Sequence, residues 1–294
     1  MRVAVLGCGY VGLELCRQLG DDHEVVGVRR SADGIDRVEA TGARAVQADV
    51  TDADALGAVP DVDAVVFAAS SGGRGAEAAR EVYAEGLRTA VDHFCSRDDP
   101  PERLVYTSST GVYGDHDGDW VDEETPVEPT TPKTEVLAEA ERIALDRPTG
   151  DCVGTVARFA GLYGPDRYRL ERYVEGPVTE GYLNMVHRDD AAGAVGYLLE
   201  TGRGRDQAVN VVDDEPVSKW AFADWLAAEC GRDPPAKRTI EERLADGDLS
   251  DPARRRLRTS KRVANDRLRE LGYEFAFPTY REGYRAAIES YRRE

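Results

Sequence analysis

The chain has 294 residues, 41% of them hydrophobic, which is enough for one large or two modest domains with a sizeable core. Its formal net charge of −18 makes nucleic acid and anionic membranes poor partners, because their charge has the same sign. No apolar run reaches the roughly 18 residues of a membrane span, and no signal peptide is recognisable. We therefore expect a cytoplasmic protein whose partner is a small-molecule substrate.

The charged and metal-binding residue types narrow the interpretation further. Only four of the 38 basic residues are lysines, and an acid-rich, lysine-poor composition is typical of proteins from salt-loaded cytosols, where screening makes self-repulsion tolerable. Five scattered cysteines without a CxxC pair argue against a disulfide framework and against a zinc site. Four dispersed histidines add no ligand cluster, so we expect no metal.

The first twelve residues, MRVAVLGCGYVG, predict a dinucleotide-binding turn. Residues 2–6 form a short apolar run typical of a buried strand, and residues 13–19 continue with helical periodicity. Between them stand glycines in GxGxxG spacing, which allow a sharp turn and a close approach of the backbone to a pyrophosphate at the helix N-terminus. An ordinary tight turn is the alternative. We expect cofactor contacts from Gly7, Gly9, Tyr10, Val11 and Gly12.

The second predicted strand, HEVVGVRR, ends at Arg29 and Arg30. In a dinucleotide fold the end of this strand faces the adenosine ribose, where an acidic residue binds the 2′-hydroxyl of NAD and an arginine accommodates the 2′-phosphate of NADP. The two arginines therefore favour NADP as the cofactor, with NAD as the second choice. Two exposed arginines in an arginine-rich chain are the alternative. Ser31 is expected to cap a helix over residues 33–40.

Three further strands follow in the same alternation. ARAVQADVTD places Asp49 and Val50 beside the adenine pocket, and VDAVVFAAS ends in two small residues, Ala68 and Ala69, past which a ligand fits. A long amphipathic helix is predicted over residues 76–96, before the fifth strand in ERLVYTSSTGVYG. Strands separated by helices of this length predict a Rossmann-type, doubly wound parallel α/β sheet with ligands at the carboxyl ends of its strands.

Several motifs in this order resemble those of the extended short-chain dehydrogenase/reductase superfamily, which includes NAD(P)-dependent sugar-nucleotide epimerases and dehydratases. They are GxGxxG, DVTD, the AAS after the fourth strand, SSTGVYG, ARFAGLYGPDR and NMVHRDDAAGAV. The resemblance spans nearly the whole chain. It implies an NAD(P)-binding Rossmann domain over residues 1–160, rejoined by about residues 185–212, and a smaller C-terminal substrate lobe built from residues 161–184 and 213–294.

The chain departs from the family at the catalytic tyrosine and lysine, which in the family lie four residues apart in the helix after the active-site loop. Matching EPTTPKTEVLAEAE to that segment puts Lys133 at the tyrosine position, Leu137 at the lysine position and Glu141 at a glutamate one turn further on. No Tyr-x-x-x-Lys occurs anywhere in the sequence. The glycine spacing also differs from the GxxGxxG that extended members usually carry. The chain thus resembles atypical, epimerase-like members of the superfamily.

The remaining candidates for catalysis lie on the loop after the fifth strand and at the start of the next helix. Ser109 matches the family serine that hydrogen-bonds the substrate oxygen, and Tyr113 is the nearest phenol left to handle the hydroxyl proton. Lys133 is expected to act as a cationic partner or proton carrier. Each has a structural alternative: Ser109 satisfies the turn backbone, Tyr113 packs in the core, and Lys133 is solvated.

Together these features predict an NAD(P)-dependent oxidoreductase or epimerase/dehydratase-like protein that acts on a polar small molecule, with a nucleotide sugar as one candidate substrate. The missing tyrosine–lysine pair supports an alternative of another class, a catalytically silent NAD(P)-binding sensor or assembly protein. A homodimer stays open as the oligomeric state. Turnover, as opposed to binding alone, separates the two functional hypotheses.

Overall fold

The computed structural model describes residues 1–73 and 75–293, and its elements are numbered in chain order. The strands are β1 (Arg2–Leu6), β2 (Glu24–Arg29), β3 (Arg44–Gln47), β4 (Ala64–Phe67), β5 (Arg103–Ser109), β6 (Trp120–Val121), β7 (Val153–Phe159), β8 (Gly161–Tyr163), β9 (Val178–Thr179), β10 (Tyr182–Leu183), β11 (Met185–His187), β12 (Gln207–Val211), β13 (Val217–Ser218), β14 (Lys237–Arg238) and β15 (Arg262–Val263).

The helices are α1 (Tyr10–Leu19), α2 (Asp33–Glu39), α3 (Ala53–Leu56), α4 (Ala76–Ala79), α5 (Leu87–Cys95), α6 (Pro132–Asp146), α7 (Leu170–Glu175), α8 (Arg188–Thr201), α9 (Lys219–Glu229), α10 (Ile240–Ala245), α11 (Asp251–Arg258), α12 (Asp266–Glu270), α13 (Tyr280–Gly283) and α14 (Arg285–Tyr291). A π-helical turn, Arg80–Gly86, joins α4 to α5, and a 3₁₀ turn, Thr110–Tyr113, follows β5. Within the described ranges, no helix has the length and apolar character that crossing a bilayer requires.

Seven strands form one parallel sheet in the order β12–β7–β5–β4–β1–β2–β3. β1 lies inside the sheet, with Leu6 aligned to Val28 of β2 on one side and to Phe67 of β4 on the other. The strand order reverses at β1, because β2 and β3 extend the sheet in one direction and the later strands extend it in the other. The predicted Rossmann-type, doubly wound sheet is confirmed, and its ligand crevice is expected beyond the carboxyl ends of β1 and β4.

The sheet is buried on both faces because its strands are nearly continuous runs of small and branched apolar residues. One face packs against α1, α2 and α8 through side chains that include Leu15, Val38 and Leu198. The other face packs against α5 and α6 through side chains that include Phe94 and Val136. All five of these side chains are at most 2% exposed. The carboxyl ends of the strands therefore rest on a well-packed support.

Two predicted elements differ from the structure. The helix expected over residues 76–96 is interrupted by the π-helical turn. Gly86 closes that turn against Val50, since a Cβ at Gly86 would come within 3.0 Å of a valine methyl group. The cap expected from Ser31 is wrong, because α2 begins after Ala32 and has no side-chain cap. The period of the apolar residues alone does not distinguish a π-helical turn from an α-helical one.

A third hydrophobic core lies apart from the two sheet cores and joins two separate stretches of the chain. We call residues 161–184 and 213–293 the small lobe, following the predicted boundaries, which themselves remain a prediction. Between these stretches, β12 returns to the main sheet beside β7. The third core includes Tyr163, Leu170, Val174, Met185, Val217, Phe222, Leu226, Tyr280, Tyr284 and Ile288.

Candidate active site

The three glycines of the loop between β1 and α1 each have a separate geometric reason. Gly7 has a φ of 103°, and a Cβ there would overlap the backbone of Ala69. A Cβ at Gly12 would overlap the carbonyl oxygen of Gly7, so this glycine lets α1 pack against the loop. A Cβ at Gly9 would meet no protein atom within 4 Å. The open side of the loop is therefore at Gly9, where the N–H groups at the start of α1 attract an anion.

The two arginines at the end of β2 play different parts. Nη1 of Arg29 donates a hydrogen bond to the carbonyl oxygen of Cys8 at 2.8 Å, and its side chain packs against Gly34 of α2. Arg30 has a side chain that is 68% exposed, and its Nη1 lies 3.8 Å from Oδ2 of Asp49. Arg29 thus anchors the glycine loop, whereas Arg30 presents its guanidinium to solvent at the end of β2.

The turn after β3 lies at the edge of the sheet where the sequence predicts the adenine pocket. Oδ1 of Asp49 accepts hydrogen bonds from the N–H and the hydroxyl of Thr51 at 3.1 and 2.8 Å, which fixes the turn. Val50 is buried in one sheet core and Val11 in the other, both 8% exposed. These two valines therefore support the crevice from inside the protein, and the polar group of Asp49 lies closer to its surface.

The carboxyl end of β4 lies directly against the glycine loop. The N–H of Ala68 donates to the carbonyl oxygen of Leu6 at 2.8 Å. The next residue, Ala69, is the one whose backbone leaves no room for a Cβ at Gly7. Both alanines are partly exposed. Their small side chains leave the crevice between β1 and β4 accessible, and contact with a ligand there stays a prediction.

Tyr10, the first residue of α1, links the glycine loop to the turn after β8. Its hydroxyl donates to the carbonyl oxygen of Pro165 at 2.9 Å. The guanidinium carbons of Arg167 and Arg188 lie 4.0 and 5.6 Å from its ring centroid. Burial raises the pKa of Tyr10 to about 12, so its phenol is neutral at neutral pH. Arg188 also pairs with Glu14 at 3.2 Å and with Asp189 at 2.8 Å. Arg167 is therefore the stronger candidate to attract the pyrophosphate expected at this helix end.

Ser109 ends β5 and caps the 3₁₀ turn that follows. Its Oγ accepts a hydrogen bond from the N–H of Gly111 at 3.1 Å. β5 pairs with β4, so Ser109 lies at the same edge of the sheet as Ala68. Because the bond to Gly111 uses the serine oxygen as an acceptor, the hydroxyl proton remains for another partner. The capping role and the expected contact with a substrate oxygen therefore do not exclude each other.

Tyr113 lies in the core, and the structure contradicts the acid–base role expected for it. Its side chain is 0% exposed. Its hydroxyl donates to Oδ1 of Asn210 at 2.9 Å and accepts from Nη1 of Arg158 at 2.8 Å. Burial also raises the pKa of Tyr113. With both hydrogen-bonding capacities used inside the protein, this phenol does not exchange a proton with a ligand in the crevice.

Lys133 occupies the first turn of α6 and is exposed, as its structural alternative described. A capping box fixes that turn. Oγ1 of Thr131 accepts a hydrogen bond from the N–H of Thr134 at 3.1 Å, and Oγ1 of Thr134 accepts one from the N–H of Thr131 at 3.0 Å. Nζ of Lys133 lies 5.8 Å from the ring centroid of Tyr83. The structure therefore brings Lys133 next to an aromatic residue that the sequence analysis did not single out.

A buried ion pair holds the loop after β5 in place. Oε2 of Glu141 in α6 accepts a hydrogen bond from Nη2 of Arg158 at 2.7 Å, and its Oε1 accepts from the hydroxyl of Ser108 at 2.6 Å. The two charged side chains are only 6% and 7% exposed. The other terminal nitrogen of Arg158, Nη1, donates a hydrogen bond to the hydroxyl of Tyr113. The sequence indicated Glu141 only through its match to a family glutamate and gave no sign of its partner on β7.

The small lobe contains a cleft of about 720 Å³ whose charged lining is mostly basic. Arg238 pairs with Asp246, and Arg243 pairs with Asp248, both at the protein surface. Burial lowers the pKa of Lys219. A concentration of cations in a chain of net charge −18 predicts an anionic ligand. The charged residues of the lining are Arg172, Lys219, Arg238, Arg243, Asp248 and Arg256.

No group of three or more His, Cys, Asp or Glu residues is arranged to hold a metal ion in residues 1–73 and 75–293. All five cysteines are free thiols, and the sulfur atoms of Cys8 and Cys16 lie 3.6 Å apart in the core. The groups gathered at the carboxyl edge of the sheet are instead backbone N–H groups, guanidinium groups and hydroxyls. This donor set fits the phosphates and ribose of a dinucleotide.

Comparison with known proteins identifies the family. The model of the NAD dependent epimerase/dehydratase family matches residues 3–211. Protein YeeZ of Escherichia coli strain K12 is 30% identical over 285 residues, which cover 94% of this chain and 96% of YeeZ. A solved structure from Methylobacillus flagellatus is 29% identical, has a TM-score of 0.77 and covers 100% of this chain and 99% of its own. The structure of human epimerase family protein SDR39U1 with NADPH is 20% identical, has a TM-score of 0.79 and covers 98% and 99% of the two chains. The chain therefore belongs to the NAD dependent epimerase/dehydratase family.

Proposed function

We propose that this protein is an NADP-dependent oxidoreductase or epimerase that acts on polar, anionic small molecules, with nucleotide sugars as the first substrate class to test. The observation that carries the proposal is the shape of the glycine loop. The loop is closed by the backbone of Ala69 at Gly7 and is open at Gly9, and the exposed guanidinium of Arg30 stands at the end of the neighbouring strand.

Different residues of the crevice bind different parts of the dinucleotide. A bound nicotinamide dinucleotide supplies the acceptor or donor of a hydride. The N–H groups at the start of α1 hold the pyrophosphate, and Arg30 donates charge-assisted hydrogen bonds to a 2′-phosphate. Each such bond contributes roughly 1.5–3 kcal/mol, so we expect at least about a tenfold preference for NADPH over NADH. Ser109 donates its hydroxyl to the reacting oxygen of the substrate.

The basic cleft of the small lobe supports an anionic substrate. Its guanidinium groups suit phosphate oxygens, because their planar N–H groups bind two oxygens at once. Arg172, Lys219 and Arg256 contribute charge to the lining from three different helices. A diphosphate presents adjacent negative charges to such a lining. Nucleotide sugars combine a diphosphate with the hydroxyl-bearing carbons on which the family's chemistry takes place.

Cofactor titrations test the first half of the proposal. Fluorescence titration of NADPH and NADH at one fixed salt concentration gives the two dissociation constants. The substitution Arg30→Ala should weaken NADPH binding by roughly tenfold and leave NADH binding unchanged. Arg44→Ala, which removes another exposed arginine from the neighbouring strand β3, is the matched control for net charge. Equal affinities of the parent for both cofactors, or tighter NADH binding, would contradict NADP preference.

Turnover tests the second half. The protein is incubated with oxidised and reduced cofactor and a panel of uridine- and thymidine-diphosphate sugars, and products are separated by chromatography. Conversion of any member supports the proposal. The silent-binder hypothesis rests on the exposed Lys133 at the position of the family's tyrosine. Tight NADPH binding without conversion of any sugar nucleotide or simple carbonyl compound would favour that hypothesis.

A further inference from the structure

The crevice needs a phenol or another group to manage the hydroxyl proton, and two tyrosines near β5 are unsuitable. Tyr113 uses its hydroxyl inside the core, as described above. Tyr106, on β5 itself, is 0% exposed, and its ring packs against that of Phe67 with centroids 6.1 Å apart. Burial raises the pKa of Tyr106 well above its ordinary value. Both side chains point into the protein, away from a ligand.

A third tyrosine, Tyr83, is placed at the edge where chemistry is expected. It lies in the π-helical turn Arg80–Gly86, and its ring is half-buried against both sheet cores. Its hydroxyl oxygen accepts a hydrogen bond from the N–H of Ser71 at 3.3 Å, and the Ser71 hydroxyl lies 3.4 Å away. Ser71 follows the carboxyl end of β4. π-Helical turns occur most often at functional sites, because they change the direction of the side chains they carry.

The first turn of α6 brings a positive charge to the same place. Nζ of Lys133 lies 5.8 Å from the centroid of the Tyr83 ring. The neighbouring Thr134 is close to the loop after β5, since a Cβ at Gly111 would lie 3.6 Å from Cγ2 of Thr134 and 3.3 Å from Oγ of Ser109. An ammonium group near a phenol favours the phenolate. Lys133 thus lies beside Tyr83, and the residue that follows it in the chain lies beside the turn that Ser109 caps.

We propose that Tyr83 is the acid–base residue of this active site and that Lys133 is its cationic partner, a rearranged counterpart of the missing pair. This inference rests on the proposed function. In the oxidation of a substrate alcohol, the phenolate oxygen of Tyr83 takes the hydroxyl proton while the hydride leaves the same carbon for the oxidised cofactor. The products are a carbonyl compound, the reduced cofactor and a neutral phenol. In the reverse direction the phenol returns its proton to the carbonyl oxygen as the hydride returns to carbon.

A test that needs no substrate uses the charge of the nicotinamide ring. The oxidised ring is positive and the reduced ring is not, so a phenolate beside it strengthens the binding of NADP⁺ relative to NADPH. Between about pH 7 and pH 10, the dissociation constant of NADP⁺ divided by that of NADPH should fall by on the order of tenfold. Within residues 1–73 and 75–293, the titratable groups near Tyr83 on packed elements include Lys133 of α6 and the neutral Tyr106 of β5.

The matched variants are Tyr83→Phe and Tyr197→Phe. Tyr197 lies on α8, and its hydroxyl bonds to the carbonyl oxygen of Leu271, away from the crevice. Tyr83→Phe should abolish the pH dependence of the ratio, and Tyr197→Phe should retain it. Lys133→Met should diminish it, and because this side chain is exposed the variant carries the test if Tyr83→Phe does not fold. An unchanged pH dependence in Tyr83→Phe, or its absence from the parent, overturns the inference.

Activity gives an independent readout on any sugar nucleotide that the parent converts. Tyr83→Phe should lower the rate of hydride transfer by about 10² to 10⁴ while leaving the NADPH dissociation constant unchanged. Lys133→Met should lower the rate by on the order of tenfold. If Tyr83→Phe is as fast as the parent, the acid–base role of Tyr83 is overturned but the proposed function is not. Failure of the parent to bind either cofactor would instead overturn the proposed function, so the two failures are distinguishable.

Discussion

The substitution Gly9→Ala should weaken cofactor binding with a modest effect on folding, whereas the same substitution at Gly12 should mainly affect folding. A Cβ at Gly9 would meet no protein atom within 4 Å, so the strain it adds is that of the backbone, whose φ of −88° and ψ of −144° lie outside the regions that side chains favour. At Gly12, by contrast, a Cβ would overlap the carbonyl oxygen of Gly7. The same chemical change, one added methyl group, should therefore affect ligand binding at one position and folding at the other.

The magnitudes follow from these contacts. An alanine at Gly9 is held in a sparsely populated backbone conformation and is a poor N-cap, so the unfolding free energy should fall by about 1–2 kcal/mol. The added methyl group would occupy the contact zone of the pyrophosphate. Losing one charge-assisted bond from a backbone N–H costs roughly 1.5–3 kcal/mol, so NADPH affinity should fall by about 10- to 100-fold.

Fluorescence titration of NADPH and thermal unfolding of the free protein measure the two effects separately. For Gly9→Ala the midpoint of unfolding should stay within about 5 °C of the parent. For Gly12→Ala, the overlap with the backbone of Gly7 should cost about 3 kcal/mol or more and lower the midpoint further than that. If Gly9→Ala binds NADPH as tightly as the parent does, the pyrophosphate does not approach the loop at this residue, and our placement of the cofactor is refuted.

Three further predictions concern stability. Glu141→Gln leaves the charge of Arg158 buried without a counterion and should cost about 3–5 kcal/mol in urea unfolding, whereas a loss below about 1 kcal/mol would show that water screens the pair. Burial lowers the pKa of Lys261 to about 8, so the unfolded state binds more protons than the folded state between about pH 8 and pH 10. The unfolding free energy of the parent should therefore rise over that range by about 2–3 kcal/mol relative to Lys261→Met, and parallel pH profiles of the two proteins would argue against it. Finally, the net charge of −18 predicts that the thermal midpoint rises markedly from dilute to molar monovalent salt, where the Debye length falls to about 3 Å, and a flat or falling midpoint would exclude charge repulsion as the limiting factor.

The sequence was sufficient wherever a feature is set by neighbours along the chain. The strand expected over residues 2–6 is β1, with the same limits, and its place inside the sheet follows from the alternation of strands and helices. The glycine spacing likewise indicates a loop whose geometry is local. At Gly12 the reason for glycine is contact with the backbone of Gly7 in the same loop, whereas at Gly7 it is contact with the distant Ala69, which the sequence does not indicate.

Features set by distant partners escaped prediction. Tyr113 stands in a motif that resembles an active-site loop, but its environment is decided by Asn210, 97 residues further along the chain, and by Arg158, 45 residues further. Nothing near Tyr113 in the sequence indicates that a strand at the sheet edge will bury its hydroxyl. The placement of a polar group inside or outside a core depends on such long-range contacts.

Tyr83 and the basic cleft were missed for a related reason. The EVYAEG segment has a helical pattern, and a π-helical turn within it leaves no clear trace in the spacing of apolar residues. The cations of the cleft come from α7, α9, α10 and α11 and from β14, and the one arginine-rich run among these elements, in α11, does not indicate the other four. In the sequence each cation is indistinguishable from a solvated surface residue, and only the folded small lobe places them around one cleft.

The third hydrophobic core constrains recombination between genes of related proteins. It combines Leu170 and Val174 from one stretch with Phe222 and Leu226 from another, and β12 lies between them in the chain but belongs to the main sheet. A single crossover between the two stretches would join half of one parent's core to half of the other's. Chimeras made to transfer substrate preference should therefore take both stretches from the same parent, and those with a crossover between the stretches should be unstable because the third core is mispacked.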